Sequence, residues 1–361
     1  MTRILFTTLT AIVVWAALLA SGVDGALRLA STGAAVFERA RTTSPIERAL
    51  LADADDGRLD RMSLVEAALV ASGTTDRARI VQYQADVDRF ATTMRRRLHV
   101  VRGDQARAEE LLLALHKQFL SGRYHATQSD IAITLERGDF NCLSSVILYV
   151  ALGRSVGVDV RPAVLPGHII AVLPTTEGRK PVETTYAKWF SAVRDGRVHM
   201  AAVPATQSAP PYDRSNAVEL SDTELIALVY YNQGYEHLTR NQFAAAWSAN
   251  EKALSLDPDS HRSRGNFLAT INNWSLDLCK HGEFAEARRL VAHGLEMAPD
   301  YAPLRANNRH VHRVWVDRLI ATGRWSAATQ VLTEAIRKWP NERFFAHYLQ
   351  RVKQHRVSNG V

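Results

Sequence analysis

Three side chains in the first half of this 361-residue chain have the types and order of a nucleophilic site. Cys142 opens the run Asn141-Cys142-Leu143-Ser144-Ser145-Val146-Ile147-Leu148-Tyr149-Val150, which reads as a buried helix. His168 comes 26 residues later in Pro166-Gly167-His168, inside a β-like run. Glu183 comes 15 residues after that, in Pro181-Val182-Glu183-Thr184-Thr185. In a Cys-His-acid site the thiolate attacks, the imidazole takes and returns the proton, and the carboxylate fixes the imidazole tautomer. At a helix start the unsatisfied N–H groups and the dipole favour a thiolate. A cysteine in an apolar helix is by default a small buried hydrophobe, and one His or Glu on a strand is by default structural. The three together, in this order and spacing, point to chemistry.

Those residues need a scaffold, and the surrounding pattern predicts one. Ile131 to Arg137 is helical, Gly138-Asp139-Phe140-Asn141 is a turn that supplies an N-cap, and the Cys142 helix runs to about Val156. Val158, Val160, Ala163, Val164 and Ile169 to Leu173 are β-type; Pro174 to Lys180 is a hairpin loop; Val182 to Tyr186 is a second strand. That hairpin sets His168 and Glu183 roughly opposite each other, within cross-strand reach. Upstream, Ile46 to Asp53 is helical. Three apolar stripes follow: Met62, Val65, Leu69; then Val87, Phe90, Met94, Leu98; then Leu111, Leu112, Leu115, Phe119.

The C-terminal part repeats. Phe243, Phe284 and Trp325 are 41 apart, as are Ala246, Ala287 and Ala328; Ala253, Gly294 and Ala335; and Pro258, Pro299 and Pro340. Four position classes that keep one period across three copies mark a repeat architecture. Small residues let paired helices approach, and proline ends a helix. The pattern resembles the second-helix half of a tetratricopeptide repeat, and Gly234 sits where that family's first helix carries its glycine. The period is 41 rather than the usual 34; the seven extra residues are about two helical turns, so a longer first helix keeps its buried face in register. Phe344, Phe345 and Tyr348 suit a capping helix over residues 341–356.

Composition narrows the class. With 47% hydrophobic and 22% charged residues the chain is globular. Net charge +7 is too mild to argue nucleic-acid binding, and Arg95-Arg96-Arg97 reads as a solvated helix face. Arg3 is the only early charge; Ile4 to Val23 has none, and small residues follow at Ala20-Ser21-Gly22. This is the form of a secretory signal, with an uncleaved membrane anchor as the competing reading. The expected location is exported, periplasmic or extracytoplasmic. Cys142 and Cys279 are the two cysteines; a disulfide between them is disfavoured because they fall in different domains. No metal-type His/Cys spacing appears, His125 stands apart from the His168 segment, and no cofactor is expected.

Residues 59–190 are similar to the transglutaminase-like domain of the SirB type. The likeness is carried by Leu135-Glu136-Arg137-Gly138-Asp139-Phe140-Asn141-Cys142-Leu143-Ser144, then Tyr149-Val150-Ala151-Leu152-Gly153-Arg154-Ser155-Val156-Gly157-Val158, then Leu165-Pro166-Gly167-His168. It spans roughly a third of the chain, and Pro-Gly-His is its most specific part. Tetratricopeptide repeats often follow that domain, as here. Many members lack a cysteine at the position of Cys142, and the acid is usually Asp where this chain has Glu183. The resemblance implies an α+β papain/transglutaminase-like domain followed by an all-α solenoid. It also implies an oxyanion hole that includes the Cys142 N–H, with Gln128 or Asn141 as a side-chain donor. The expected organisation is a signal peptide or anchor at 1–26, a lead-in at 27–58, the transglutaminase-like domain at 59–200, a linker at 201–219 and the repeats at 220–361. Two functions compete. One is an exported thiol enzyme for amide or peptide hydrolysis or acyl transfer, its repeats docking a peptide or protein partner in a groove. The other is a non-catalytic binding scaffold on a degenerate fold, with no nucleic acid in either reading and the N-terminal segment as a possible tether.

Overall fold

The computed structural model describes residues 43–197 and 217–358. The signal or anchor segment, residues 27–42 of the lead-in and residues 201–216 of the linker lie outside the described residues. Within them the chain has 14 helices and one small antiparallel sheet.

The lead-in helix α1 (Pro45–Asp53) starts at a capping box, in which Ser44 and Glu47 each satisfy the other's backbone N–H. The three sequence stripes become α2 (Leu64–Ala71), α3 (Arg77–Leu98) and α4 (Asp104–Gln118). Short α5 (Ile131–Arg137) precedes α6 (Cys142–Val156). Leu143, Val146, Ile147, Tyr149, Val150 and Leu152 of α6 are all buried, so apolar side chains face every direction and the helix sits inside the domain. It packs against α2, α3, α4 and the sheet.

The sheet consists of β1 (Arg161–Leu165), β2 (His168–Thr175), β3 (Gly178–Val182) and β4 (Val218–Glu219), in the order β3-β2-β1-β4. Central β2 is covered on both faces. Ile169, Ala171 and Leu173 join the helical core, while Ile170 and Val172 form a small cluster with Ala163, Leu165 and Ala217. This explains an unbroken apolar run where a half-exposed strand would alternate. Leu165 pairs with His168 around the two-residue turn Pro166-Gly167. Gly167 has φ 73°, so proline and glycine occupy the second and third places of a type II turn, where only glycine is unstrained. The turn thereby fixes His168 at the end of the sheet.

Two sequence expectations are corrected here. The second hairpin turns tightly at Thr176-Glu177, with Thr175 paired to Gly178, so the return strand covers 178–182 rather than 182–186. Gly178 tolerates φ 117° there, and the Thr175 hydroxyl donates to its carbonyl at 2.8 Å. Glu183 therefore follows the strand and lies diagonal to His168, not opposite it. The end of the expected linker is also ordered: β4 adds to the free edge of β1, pairing Val164 with Val218.

After β4 come α8 (Asp222–Thr239), α9 (Phe243–Leu256), α10 (His261–Lys280), α11 (Phe284–Met297), α12 (Ala302–Ala321), α13 (Trp325–Lys338) and α14 (Arg343–Ser358); α7 (Trp189–Arg194) lies before the strand. The second helix of each pair is 14 residues long and begins at the repeated aromatic, and first helices α10 and α12 reach 20 residues. Ala246, Ala287 and Ala328 are fully buried. A Cβ at Gly294 would lie 2.5 Å from Leu304 and 3.0 Å from Ile271, which explains the small residue at that place. The aromatics are not equivalent: Phe243 is buried, whereas Phe284 and Trp325 are half-buried, stacked on Trp315 and against His355. Leu225, Ile226, Val229 and Tyr230 of α8 belong to the same core as α1–α6. The first repeat thus closes the N-terminal core.

Candidate active site

Cys142 is the first residue of α6, directly after its N-cap. The Asn141 Oδ1 accepts the Ser144 N–H at 2.9 Å, and the Ser144 Oγ accepts the Asn141 N–H at 3.0 Å. This reciprocal cap fixes the backbone from which the thiol projects. Cys142 is half-buried, and its N–H, at the first helical position, has no acceptor within the helix. The titrations of His168 and of Tyr124 both respond to the Cys142 sulfur, which sets the three groups beside one another.

His168 is 6% exposed, and its Nε2 lies 2.8 Å from Glu183 Oε2. That leaves Nδ1 as the ring nitrogen for the sulfur. Glu183 is 1% exposed. Its other oxygen accepts the Thr185 hydroxyl at 2.7 Å and the Thr185 N–H at 3.4 Å. The residue after the acid is also held. His116 Nε2 donates to the Thr184 carbonyl at 2.8 Å, and the Thr184 hydroxyl pairs with Ser145 at 2.7 Å. Ser145 in turn donates to the Cys142 carbonyl at 3.1 Å, so the acid-bearing loop is tied to the first turn of α6.

Electrostatics follow this geometry. Burial, the largest influence on His168, pulls its pKa down. The interactions with Cys142 and with the Glu183 carboxylate outweigh it and raise the imidazole to about 10. Burial pushes the Glu183 carboxyl up, but the His168 hydrogen bond and charge, with Thr185, hold it below the usual range. Burial pushes the Tyr124 hydroxyl up, helped by its neighbours Cys142 and Glu183, so it keeps its O–H. His116 is pushed down, chiefly by burial, and stays neutral. At neutral pH an imidazolium therefore lies between a sulfur and a carboxylate.

All three residues singled out by spacing meet. The two expected oxyanion donors do not serve. The Gln128 amide donates to the carbonyls of Asp130 and Asp139, both at 3.0 Å, and the Asn141 amide to Ala126 at 3.2 Å and Ser129 at 2.9 Å. Both hold the loop before α6 in shape. Tyr124 was missed. It lies in a polar stretch without periodicity, and reaches the sulfur because residues 123–125 bridge to Phe140. No local signal would have found it. His116 was hidden on a helix face that its apolar neighbours explain fully.

Neither cysteine forms a disulfide, and Cys279 is buried in the repeat core. Among the described residues, no cluster of His, Cys, Asp or Glu could hold a metal ion, and no helix is long and apolar enough to cross a membrane. No family model matches the chain, and no curated protein or solved structure is recognisably similar to it.

Proposed function

We propose that this chain is a cysteine-dependent hydrolase or acyltransferase acting on amides or peptides, built on a transglutaminase-like domain. The observation that carries the proposal is the ring of His168, hydrogen-bonded to the buried carboxylate of Glu183 and set beside half-buried Cys142 at the start of α6. In this reading the Cys142 thiolate attacks the substrate carbonyl carbon. The oxyanion that forms meets the Cys142 N–H and the positive end of α6. His168 gives its proton to the leaving amine, the C–N bond breaks, and a thioester remains on Cys142. Water or a second amine, deprotonated by His168, attacks that thioester and releases the thiolate. Glu183 holds the ring tautomer and its charge throughout.

The same proposal gives the repeats the role of docking a peptide or protein partner, and places the chemistry outside the cytoplasm on the strength of the leader-like N-terminus. Incubation with 4-nitrophenyl acetate tests the core of it. The expected result is a burst of 4-nitrophenolate stoichiometric with protein, an acetyl group on Cys142 by peptide mass spectrometry, and neither with Cys142→Ala. An inert thiol in the native chain would return it to the scaffold reading.

A further inference from the structure

We infer that the first two repeats are part of the site, and that Asn232 and Arg262 are positioning residues for Cys142 and His168 respectively. The inference rests on the Cys142-His168-Glu183 reading above. Two hydrogen bonds from two different repeats end on the two halves of the site.

The first reaches the histidine half. The Arg262 guanidinium, in the first turn of α10, donates from Nη2 to the Leu165 carbonyl at 3.0 Å. Leu165 ends β1 and pairs with His168 across the Pro166-Gly167 turn. A shift of this carbonyl moves the turn, and the turn sets where the imidazole sits. The second reaches the cysteine half. Asn232 Nδ2, on α8, donates to the Ser129 hydroxyl at 2.8 Å. The same oxygen accepts the Asn141 amide at 2.9 Å, and Asn141 is the N-cap of the Cys142 helix. Gln233 beside it donates to the Ala71 carbonyl at 2.7 Å, which fixes α8 alongside α2.

These contacts are not what holds the repeats in place. The buried face of α8 shares the N-terminal core, Arg154 makes a two-pronged ion pair with Asp222 at 2.5 and 2.7 Å, and Lys252 pairs with Glu47 at 2.7 Å. Arg262 ends on the strand end before the His168 turn, and Asn232 on the serine that also holds the N-cap of the Cys142 helix. A misplacement on the order of 1 Å can cost roughly 100-fold in rate, so a polar tether onto each half has work to do that burial does not perform.

The test uses the full chain and iodoacetamide, with Cys142 and Cys279 read separately by peptide mass spectrometry. An ordinary thiol of pKa about 8.5 is roughly 200-fold less ionised at pH 6 than at pH 9. The ratio of the native Cys142 rates at the two pH values is the reference against which each variant is read. Arg262→Ala and Asn232→Ala should each lower the pH 6 rate about five-fold or more, leave the pH 9 rate unchanged, and melt as folded proteins. Arg262→Lys, which keeps a donor, should recover most of the loss. Arg154→Ala loosens the same interface away from the site and should leave the pH ratio alone. If Asn232→Ala does not fold, Ser129→Ala removes the acceptor and should give the same loss. Unchanged pH 6 rates in the Asn232 and Arg262 variants, with a drop in His168→Ala, would overturn the inference and leave the site intact. An equal shift in Arg154→Ala would overturn it too, as a structural effect. If His168→Ala itself leaves the ratio unchanged, the site reading falls and takes the inference with it.

Discussion

His168 is what its two neighbours make it. Alone and buried, an imidazole would lose its proton; between Cys142 and Glu183 it keeps one to about pH 10. Cys142→Ala should abolish acyl transfer or hydrolysis in the ester assay with the melting temperature little changed. On the proposed mechanism His168→Ala should be nearly as severe, because members of one catalytic unit do not contribute additively. Glu183→Gln should be milder, since it removes orientation and charge rather than the nucleophile. Tyr124→Phe removes a hydroxyl from the sulfur and should alter the thiol's alkylation rate without unfolding the chain. The same shifts set a stability profile. The folded pKa of His168 lies above its ordinary value of 6.5, so its stabilisation is complete below about pH 6.5 and is lost as pH rises through about 10. Glu183 is shifted down, so its share is present above about pH 4.5 and is lost as pH falls below that. The melting-temperature gap between the native chain and His168→Gln should therefore narrow steadily from pH 6.5 to pH 10. A constant gap would contradict the ion-paired ring.

Among the helices, the repeat period decides where substitutions hurt. Ala287 is fully buried in the core formed by α9, α10, α11 and α12, so Ala287→Trp overpacks that contact and should cost about 1–3 kcal/mol, read by thermal melting. His312 on α12 is the weak point of the next layer. It is fully buried against Trp339 and Phe345; its Nδ1 donates to the Asn308 carbonyl at 2.8 Å, and its Nε2 has no partner among the described residues. Burial lowers its pKa to about 4, so the unfolded chain binds the proton more tightly. Stability from this group is intact above about pH 6.5 and falls as pH drops toward 4, by about 3 kcal/mol in full. His312→Phe should remove that acid sensitivity, seen as a smaller loss of melting temperature between pH 7 and pH 4.

At the largest scale, the decisive fact is that all the described residues fall in one compact unit. The first repeat packs into the core that also buries α6, and its Lys252, Asp222 and Thr223 bond to Glu47, Arg154 and Gly57 of the lead-in and the N-terminal domain. Ile226 is fully buried at this junction. Ile226→Ala should cost about 2–5 kcal/mol and open both sides of the junction to protease together. Cleavage confined to one side would show that two separately stable bodies share only a surface.

The sequence by itself carried the periodic and the locally capped features. The 41-residue spacing placed all three repeat pairs, because a repeated packing unit leaves the same small and aromatic residues at the same places. Asn141 before an apolar run marked the start of α6 to the residue, and Pro166-Gly167 marked a corner whose φ only glycine adopts freely. Cys142, His168 and Glu183 were legible as a set because a helix start, a turn and a strand end each leave local signs. The tertiary structure alone decided the rest. The hairpin register shifted Glu183 past its strand, and register depends on turn geometry that composition does not fix. Tyr124 reaches the sulfur through one bridge to Phe140, and Gln128 and Asn141 are committed to backbone carbonyls and a serine hydroxyl rather than to an oxyanion. Asn232 and Arg262 meet the site from 103 and 97 residues away in sequence, to Ser129 and Leu165. Such contacts join groups with no shared period and no common motif, so only the folded chain brings them together.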